Sequence, residues 1–143
     1  MQLKRSADSV MPGKRYLLDT NALIALLQGN RELVALTQSA DWLGVSVINV
    51  LEFLGFDGLT EQDRLLFQQF VSRVTVIDVA HNNAALMAHI AALRQRKTLK
   101  LPDTIVMASA ALHEATVITN DAQLLQVGVS DANFTALGFS VDG

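Results

Sequence analysis

The sequence predicts an α/β domain whose mostly parallel sheet is covered by helices on both faces, a three-layer α/β/α sandwich. Short apolar runs rich in β-branched residues alternate along the chain with segments whose hydrophobic residues recur at helical spacing. Acids mark the joins: Asp19 and Asp121 stand where a strand-like run gives way to a helix, and Asp103 opens another helix. With 143 residues, 50% of them hydrophobic, there is material for one domain with a proper core.

Residues 16–18 read as the first strand, running into Asp19, and a helix follows over 21–27 until Gly29 and Asn30 stop it. A second helix is expected over 31–39, with Leu33, Val34 and Leu36 turned inward. Residues 43–47 form the second strand after the turn-like Ser39, Ala40 and Asp41. The stretch 49–55 keeps helical spacing through Val50, Phe53 and Leu54, with Glu52 about one turn in and Gly55 ending it. Thr60 and Asp63 resemble a capping box opening a helix to about Phe70, and residues 74–79 are the third strand.

Residues 82–97 are expected to form the longest helix, burying Leu86, Ile90 and Leu93 and ending in Arg94, Gln95, Arg96 and Lys97. Cations there suit the negative end of the helix dipole. After a loop over 99–102, Pro102 favours a helix start, and the segment 103–113 is so nearly uncharged that it must be buried on most sides. Residues 116–119 read as strand four, 122–125 as a helical turn and 139–141 as the last strand.

Composition excludes several kinds of chemistry. There is no cysteine, so disulfides, thiolate metal sites and thiol catalysis are absent. A net charge of −3 is not the footprint of a basic nucleic-acid binder, although cations held in an acidic site can themselves meet phosphate. No apolar run reaches the roughly 18 residues of a membrane span, and the chain is expected to be cytoplasmic with no membrane partner. Residues 1–14 are mixed polar and read as a flexible leader ahead of a single domain over 15–143.

The acids carry the functional reading. In a parallel sheet the seams fall at one edge, and if strands one and four are neighbours, Asp19 and Asp121 flank the crevice where the strand order reverses. Each acid has a plain alternative: Asp19 and Asp121 as helix caps, Asp103 as a first-turn acid, Glu52 as a surface residue. Together they would repel, because two unit charges about 4 Å apart cost roughly 1 kcal/mol in water and nearer 4 at an effective dielectric of 20. A fold carries such a group when a cation sits within it. Oxygen-only ligands, without Cys or usefully spaced His, point to Mg²⁺ or Mn²⁺, which serve displacement at phosphorus.

Leu-Leu-Asp19-Thr20-Asn21, Ser46-Val-Ile-Asn-Val-Leu-Glu52, the run from Leu-Pro-Asp103 to Ala110, and Ile-Thr119-Asn-Asp121 resemble, in order and spacing, the four acidic blocks of PIN-domain proteins. The chain is similar in size to the VapC-type toxins of toxin–antitoxin pairs, and the likeness covers residues 16–141. The resemblance implies a Mg²⁺- or Mn²⁺-dependent ribonuclease acting on single-stranded RNA. On this chain it implies Asp19, Glu52, Asp103 and Asp121 as metal ligands and Thr119 as the hydroxyl that orients the site. An antitoxin protein is the partner it implies, and homodimers are common among its members.

Other residues fall into place around that reading. Arg94, Arg96, Lys97 and Lys100 are candidates to steer RNA phosphates, against the plainer role of a solvated helix end. His81, His89 and His113 have no metal spacing and read as structural, and Trp42 and Phe56 are expected to pack rather than stack on a base. Two rival classes remain. A phosphoacceptor receiver domain would use Asp78, but lacks paired acids after strand one and a lysine after the last strand. A catalytically silent PIN-fold binding module would have lost one or more of the four acids, and all four are present.

Overall fold

In the computed structural model, whose described residues are 13–96 and 98–142, the strands β1 (Arg15–Leu18), β2 (Trp42–Ser46), β3 (Thr75–Ile77), β4 (Thr116–Ile118) and β5 (Ala136–Leu137) form one sheet in the order β3-β2-β1-β4-β5. Every pairing is parallel. The expected adjacency of strands one and four therefore holds: Leu18 lies opposite Ile118, and the strand order reverses between β1 and β4.

Seven helices among the described residues cover the sheet: α1 (Thr20–Leu27), α2 (Arg31–Ser39), α3 (Val47–Leu54), α4 (Glu61–Val71), α5 (Ala84–Leu93), α6 (Leu101–Leu112) and α7 (Ala122–Ser130). Strand side chains alternate between faces, and the core divides accordingly. Leu17 and Val117 join Leu86, Val106, Met107 and Leu124 on one side. Leu18 and Ile118 join Ala22, Leu33 and Val45 on the other. Helix α6 is buried continuously from Thr104 to Ala110, as its near lack of charge requires. No helix of the described residues is long and apolar enough to cross a membrane.

Local chemistry sets most boundaries. The Thr60 hydroxyl and the Asp63 carboxylate form the reciprocal capping box opening α4. Ser46 and Asn49 form a second one, so β2 stops at Ser46 and the helix begins at Val47, earlier than residues 43–47 and 49–55 suggested. Gly29 takes the left-handed conformation, φ +90, just past α1.

Four expectations need correction. The helix expected over 82–97 spans only Ala84–Leu93, because the Asn83 side chain caps its start and the chain turns after Leu93 to bury Leu99. The longest helix is instead α6. The expected turn at 122–125 is the nine-residue α7, held by Leu124 and Val127 against the core. The last strand is Ala136–Leu137 rather than 139–141, since those residues are the ones in register with Val117 and Ile118 of β4. Strand β3 is shorter than 74–79. Of the expected leader, residues 1–12 lie outside the described residues, and the Lys14 N–H donates to the Asp41 carboxylate at 2.7 Å.

Trp42 lies across Gly44, two residues on and on the same face of β2, where a Cβ would clash with the edge of the indole ring. The indole also stacks on His113 at 5.2 Å and carries the Arg15 guanidinium 4.8 Å above its centroid. Gly44→Ala should push the ring out of both contacts and destabilise the fold by roughly 1–3 kcal/mol. Urea unfolding followed through this tryptophan, the chain's one Trp, checks it; an unchanged midpoint would show that the ring moves without cost.

Candidate active site

The ends of β1 and β4, the second half of α3 and the start of α6 build one cleft. Asp19 follows β1 directly, and its backbone N–H donates to the Ile118 carbonyl at 3.0 Å, tying it to the end of β4. It occupies the N-cap position of α1, yet its carboxylate makes no capping bond, so the plain reading of this acid as a cap fails. Asp19 is buried, 6% exposed as a residue. It accepts the Thr119 hydroxyl at 2.7 Å and the side-chain amides of Asn21 and Asn49 at 3.2 Å each.

Glu52 is carried by α3 and accepts the Thr20 hydroxyl at 2.6 Å. Asp121 does cap α7: one oxygen accepts the Gln123 and Leu124 backbone N–H groups at 2.8 and 3.2 Å. Asp103 sits in the first turn of α6, where Pro102 needs no N–H partner and the helix end favours an acid. Thr119 is fully buried, and besides donating to Asp19 it accepts the Asp121 backbone N–H at 3.0 Å.

A cleft of about 520 Å³ is lined by Asp19, Glu52, Asp103 and Asp121 together with Thr20 and Asn21, with Ile24, Leu51 and Phe56 as its apolar wall. All four sequence-predicted carboxylates thus reach one space from separate elements. A larger hollow of about 710 Å³ opens at the opposite strand ends, beside Asp41 and Arg73. It gathers no comparable set of acids, and Asp41 is already committed to Lys14.

The electrostatics of the cleft show crowding. Burial pushes the Asp103 carboxyl up to about 6, helped by Asp121, Asp19 and Glu52 and opposed by Lys100. Burial likewise raises Asp19 above the ordinary carboxylate range; the Thr119 hydroxyl and the Thr20 backbone N–H oppose it, and Glu52 and Asp121 add to it. The donors are all oxygens, the set a hard divalent cation prefers. Among the described residues, however, no three Asp, Glu or His side chains are already set to hold an ion. Three of the four acids already accept protein donors, Asp19 from Thr119, Asn21 and Asn49, Glu52 from Thr20 and Asp121 from its own helix. The residues fit a cation in number and chemistry, although their side chains are not gathered round one point.

The basic stretch is partly spent on the protein itself. Arg96 donates to the Ser130 hydroxyl at 2.6 Å and Arg94 to the Leu99 carbonyl at 3.4 Å, while Lys97 lies outside the described residues. His113 stacks on Trp42 and His89 meets Phe134 edge-on. Trp42 belongs to the far end of the sheet, whereas Phe56 is 45% exposed and lines the cleft. Asp78 follows edge strand β3 and takes no part in the cleft.

Thr20, Asn21 and Asn49 escaped the sequence reading. Asn49 had a signal: it is the one polar residue between Val47 and Leu51 in an apolar stretch. Thr20 and Asn21 sit beside Asp19 but have no periodicity to betray them.

Comparison with known proteins agrees with this architecture. The PIN domain family model matches residues 16–129. A toxin–antitoxin complex from Klebsiella pneumoniae is similar, with 26% identity, a TM-score of 0.65, and 88% of this chain and 97% of that one covered. VapBC2 from Rickettsia felis, bound to a DNA fragment from its promoter, superposes with a TM-score of 0.68 at 18% identity over 87% of this chain and 98% of that one. VapBC-1 from nontypeable Haemophilus influenzae gives 0.64 at 22% over 86% and 96%. At such identities these last two speak for the fold alone. No curated protein matches the chain in sequence.

Proposed function

The chain belongs to the PIN-domain family, and from that premise we propose that residues 15–143 are a Mg²⁺- or Mn²⁺-dependent endoribonuclease acting on single-stranded RNA, the toxin of a toxin–antitoxin pair. The observation that carries the proposal is the meeting of Asp19, Glu52, Asp103 and Asp121 in one cleft at the reversal of strand order. Similarity to a toxin–antitoxin complex supports an antitoxin partner for this chain, and a homodimer is part of the same proposal. Retention of all four acids weighs against a silent binding module.

The chemistry a bound Mg²⁺ or Mn²⁺ supplies is activation of water at neutral pH and stabilisation of the leaving oxygen in an in-line displacement at phosphorus. The protein's part is positional. Asp19 and Asp121 hold the two sides of the crevice, Asp103 and Glu52 complete the oxygen set, and Thr119 fixes the Asp19 carboxylate from beneath. Burial, with Asp121, Asp19 and Glu52, holds the Asp103 carboxyl up at about 6, so it keeps its proton to a higher pH than an ordinary carboxylate and the repulsion is lessened on the acid side of neutral. Lys100, whose charge reaches Asp103, is the candidate among the described residues of the basic stretch to meet a substrate phosphate. Phe56 presents an exposed ring at the rim, and stacking of an unpaired base on such a ring contributes about 1–3 kcal/mol.

The test is cleavage of single-stranded RNA by the purified chain, with the new 5′ ends mapped. Mg²⁺ or Mn²⁺ should support it, and Ca²⁺, larger and looser in geometry, should bind without supporting it well. Cleavage undiminished by excess EDTA would remove the metal mechanism.

A further inference from the structure

We propose that Asn21 and Asn49 are positioning residues that clamp the Asp19 carboxylate, one on each oxygen, orienting it for a divalent cation without neutralising its charge. The inference rests on the reading of the cleft as a metal site. Asn49 donates through Nδ2 to Asp19 Oδ1, and Asn21 donates through Nδ2 to Asp19 Oδ2, each at 3.2 Å.

Neither amide can be turned round. The Asn49 Oδ1 accepts the Ser46 backbone N–H at 3.0 Å, and the Asn21 Oδ1 accepts the Asn120 backbone N–H at the same distance. A backbone donor can pair only with the amide oxygen, so the NH₂ end of both residues must face the acid. Ser46 ends β2 and Asn120 follows β4, the two strands flanking β1, so the clamp is anchored on both neighbours of the strand that carries Asp19.

The same amides extend the order outward. Asn49 Nδ2 also donates to the Thr20 hydroxyl oxygen at 3.1 Å, and that hydroxyl gives its proton to Glu52. Asn21 Nδ2 also reaches the Thr119 hydroxyl oxygen at 3.1 Å, and Thr119 donates to Asp19. Two of the four acids are therefore aimed by one connected set of neutral donors.

Neutrality matters physically. A lysine or arginine at either place would act as an internal counter-ion and compete with the metal, whereas an amide restricts rotation and leaves the negative charge unspent. A purely structural role explains less. Capping α3 uses only the oxygen of Asn49, and Asn21 is exposed with no capping duty.

The experiment measures Mn²⁺ binding by calorimetry, beside thermal unfolding of the metal-free protein, for the full chain and for Asn21→Ala, Asn49→Ala and Asn21→Lys. Outer partners of metal ligands commonly matter by about 10–100-fold in affinity, and each alanine variant should weaken Mn²⁺ binding by that order while remaining folded. Asn49 is fully buried and caps a helix, so if its variant does not fold, Asn21→Ala decides alone. Asn21→Lys should raise the metal-free melting temperature while weakening Mn²⁺ binding, opposite signs that no loss of packing produces. Unaltered affinity in a folded Asn21→Ala would overturn the clamp and leave the metal site standing. A parent chain that binds no Mn²⁺ would overturn the metal site, and the clamp with it.

Discussion

Asp19→Asn should reduce RNA cleavage by more than about 100-fold, the upper end of what losing even an outer partner of a metal ligand costs. The exchange is nearly isosteric, so shape is kept while one charge of the oxygen set is removed. Two effects on stability oppose each other. Relief of repulsion from Glu52 and Asp121, and of the penalty for burying a charge, favours the variant. Against it, the new NH₂ group must face one of the donors now spent on the carboxylate, and Asn49 stands alone on its side while Thr119 and Asn21 share the other. The mismatch therefore falls on the Asn49 side, at a cost of about 1–3 kcal/mol before the gain is set against it. The metal-free variant should stay folded, with an unfolding midpoint close to the parent's. Parent-like cleavage, or collapse of the fold, would count against Asp19 as a ligand held in place for chemistry.

The sequence made the sheet and the four acids legible because both leave periodic or positional marks. Leu17 and Leu18 serve opposite faces of β1, so the run is apolar throughout and ends abruptly at Asp19. What stayed hidden depends on tertiary partners. Residues 139–141 look like a strand, and Phe139 does bond through both its N–H and its C=O, but to the Asn120 side chain rather than to another strand. That amide imitates a strand edge, and nothing in the local pattern distinguishes the two. Helix α7 runs past the expected turn at 122–125 and through Gly128, where the Ala136 backbone packs so close that a Cβ would sit 2.9 Å from its nitrogen. Asn21 and Asn49 were missed for a similar reason, since the hydrogen bonds that give them meaning cross between elements far apart in sequence.

Without metal, the crowding in the cleft should make the protein less stable as pH rises from about 4 to 7. A carboxyl raised to about 6 from an unfolded value of 3.8 binds its proton more tightly in the folded state. The stability it contributes is complete below the unfolded value and is lost as pH climbs through the folded one. Asp19 acts in the same sense. His113, lowered by burial and by Arg15, acts in the opposite sense as it deprotonates, and exposed Asp63, lowered by its bonds to Thr60, opposes it at the acid end. The difference between the parent and Asp103→Asn removes those other groups, and the variant should lose part of the fall in melting temperature. Asp103 is half-exposed, so solvent screening keeps the effect below what its full shift would imply. Mn²⁺ should reverse the trend. At 100 times its dissociation constant a ligand of the folded state adds about 2.7 kcal/mol, on the order of 5–10 °C for a domain of this size. That gain should appear at pH 7 and shrink near pH 4.5, where protons occupy the carboxylates the cation needs. Equal Mn²⁺ shifts at both pH values, or parallel pH curves for the parent and Asp103→Asn, would separate Asp103 from the metal site and leave its raised pKa a consequence of burial alone.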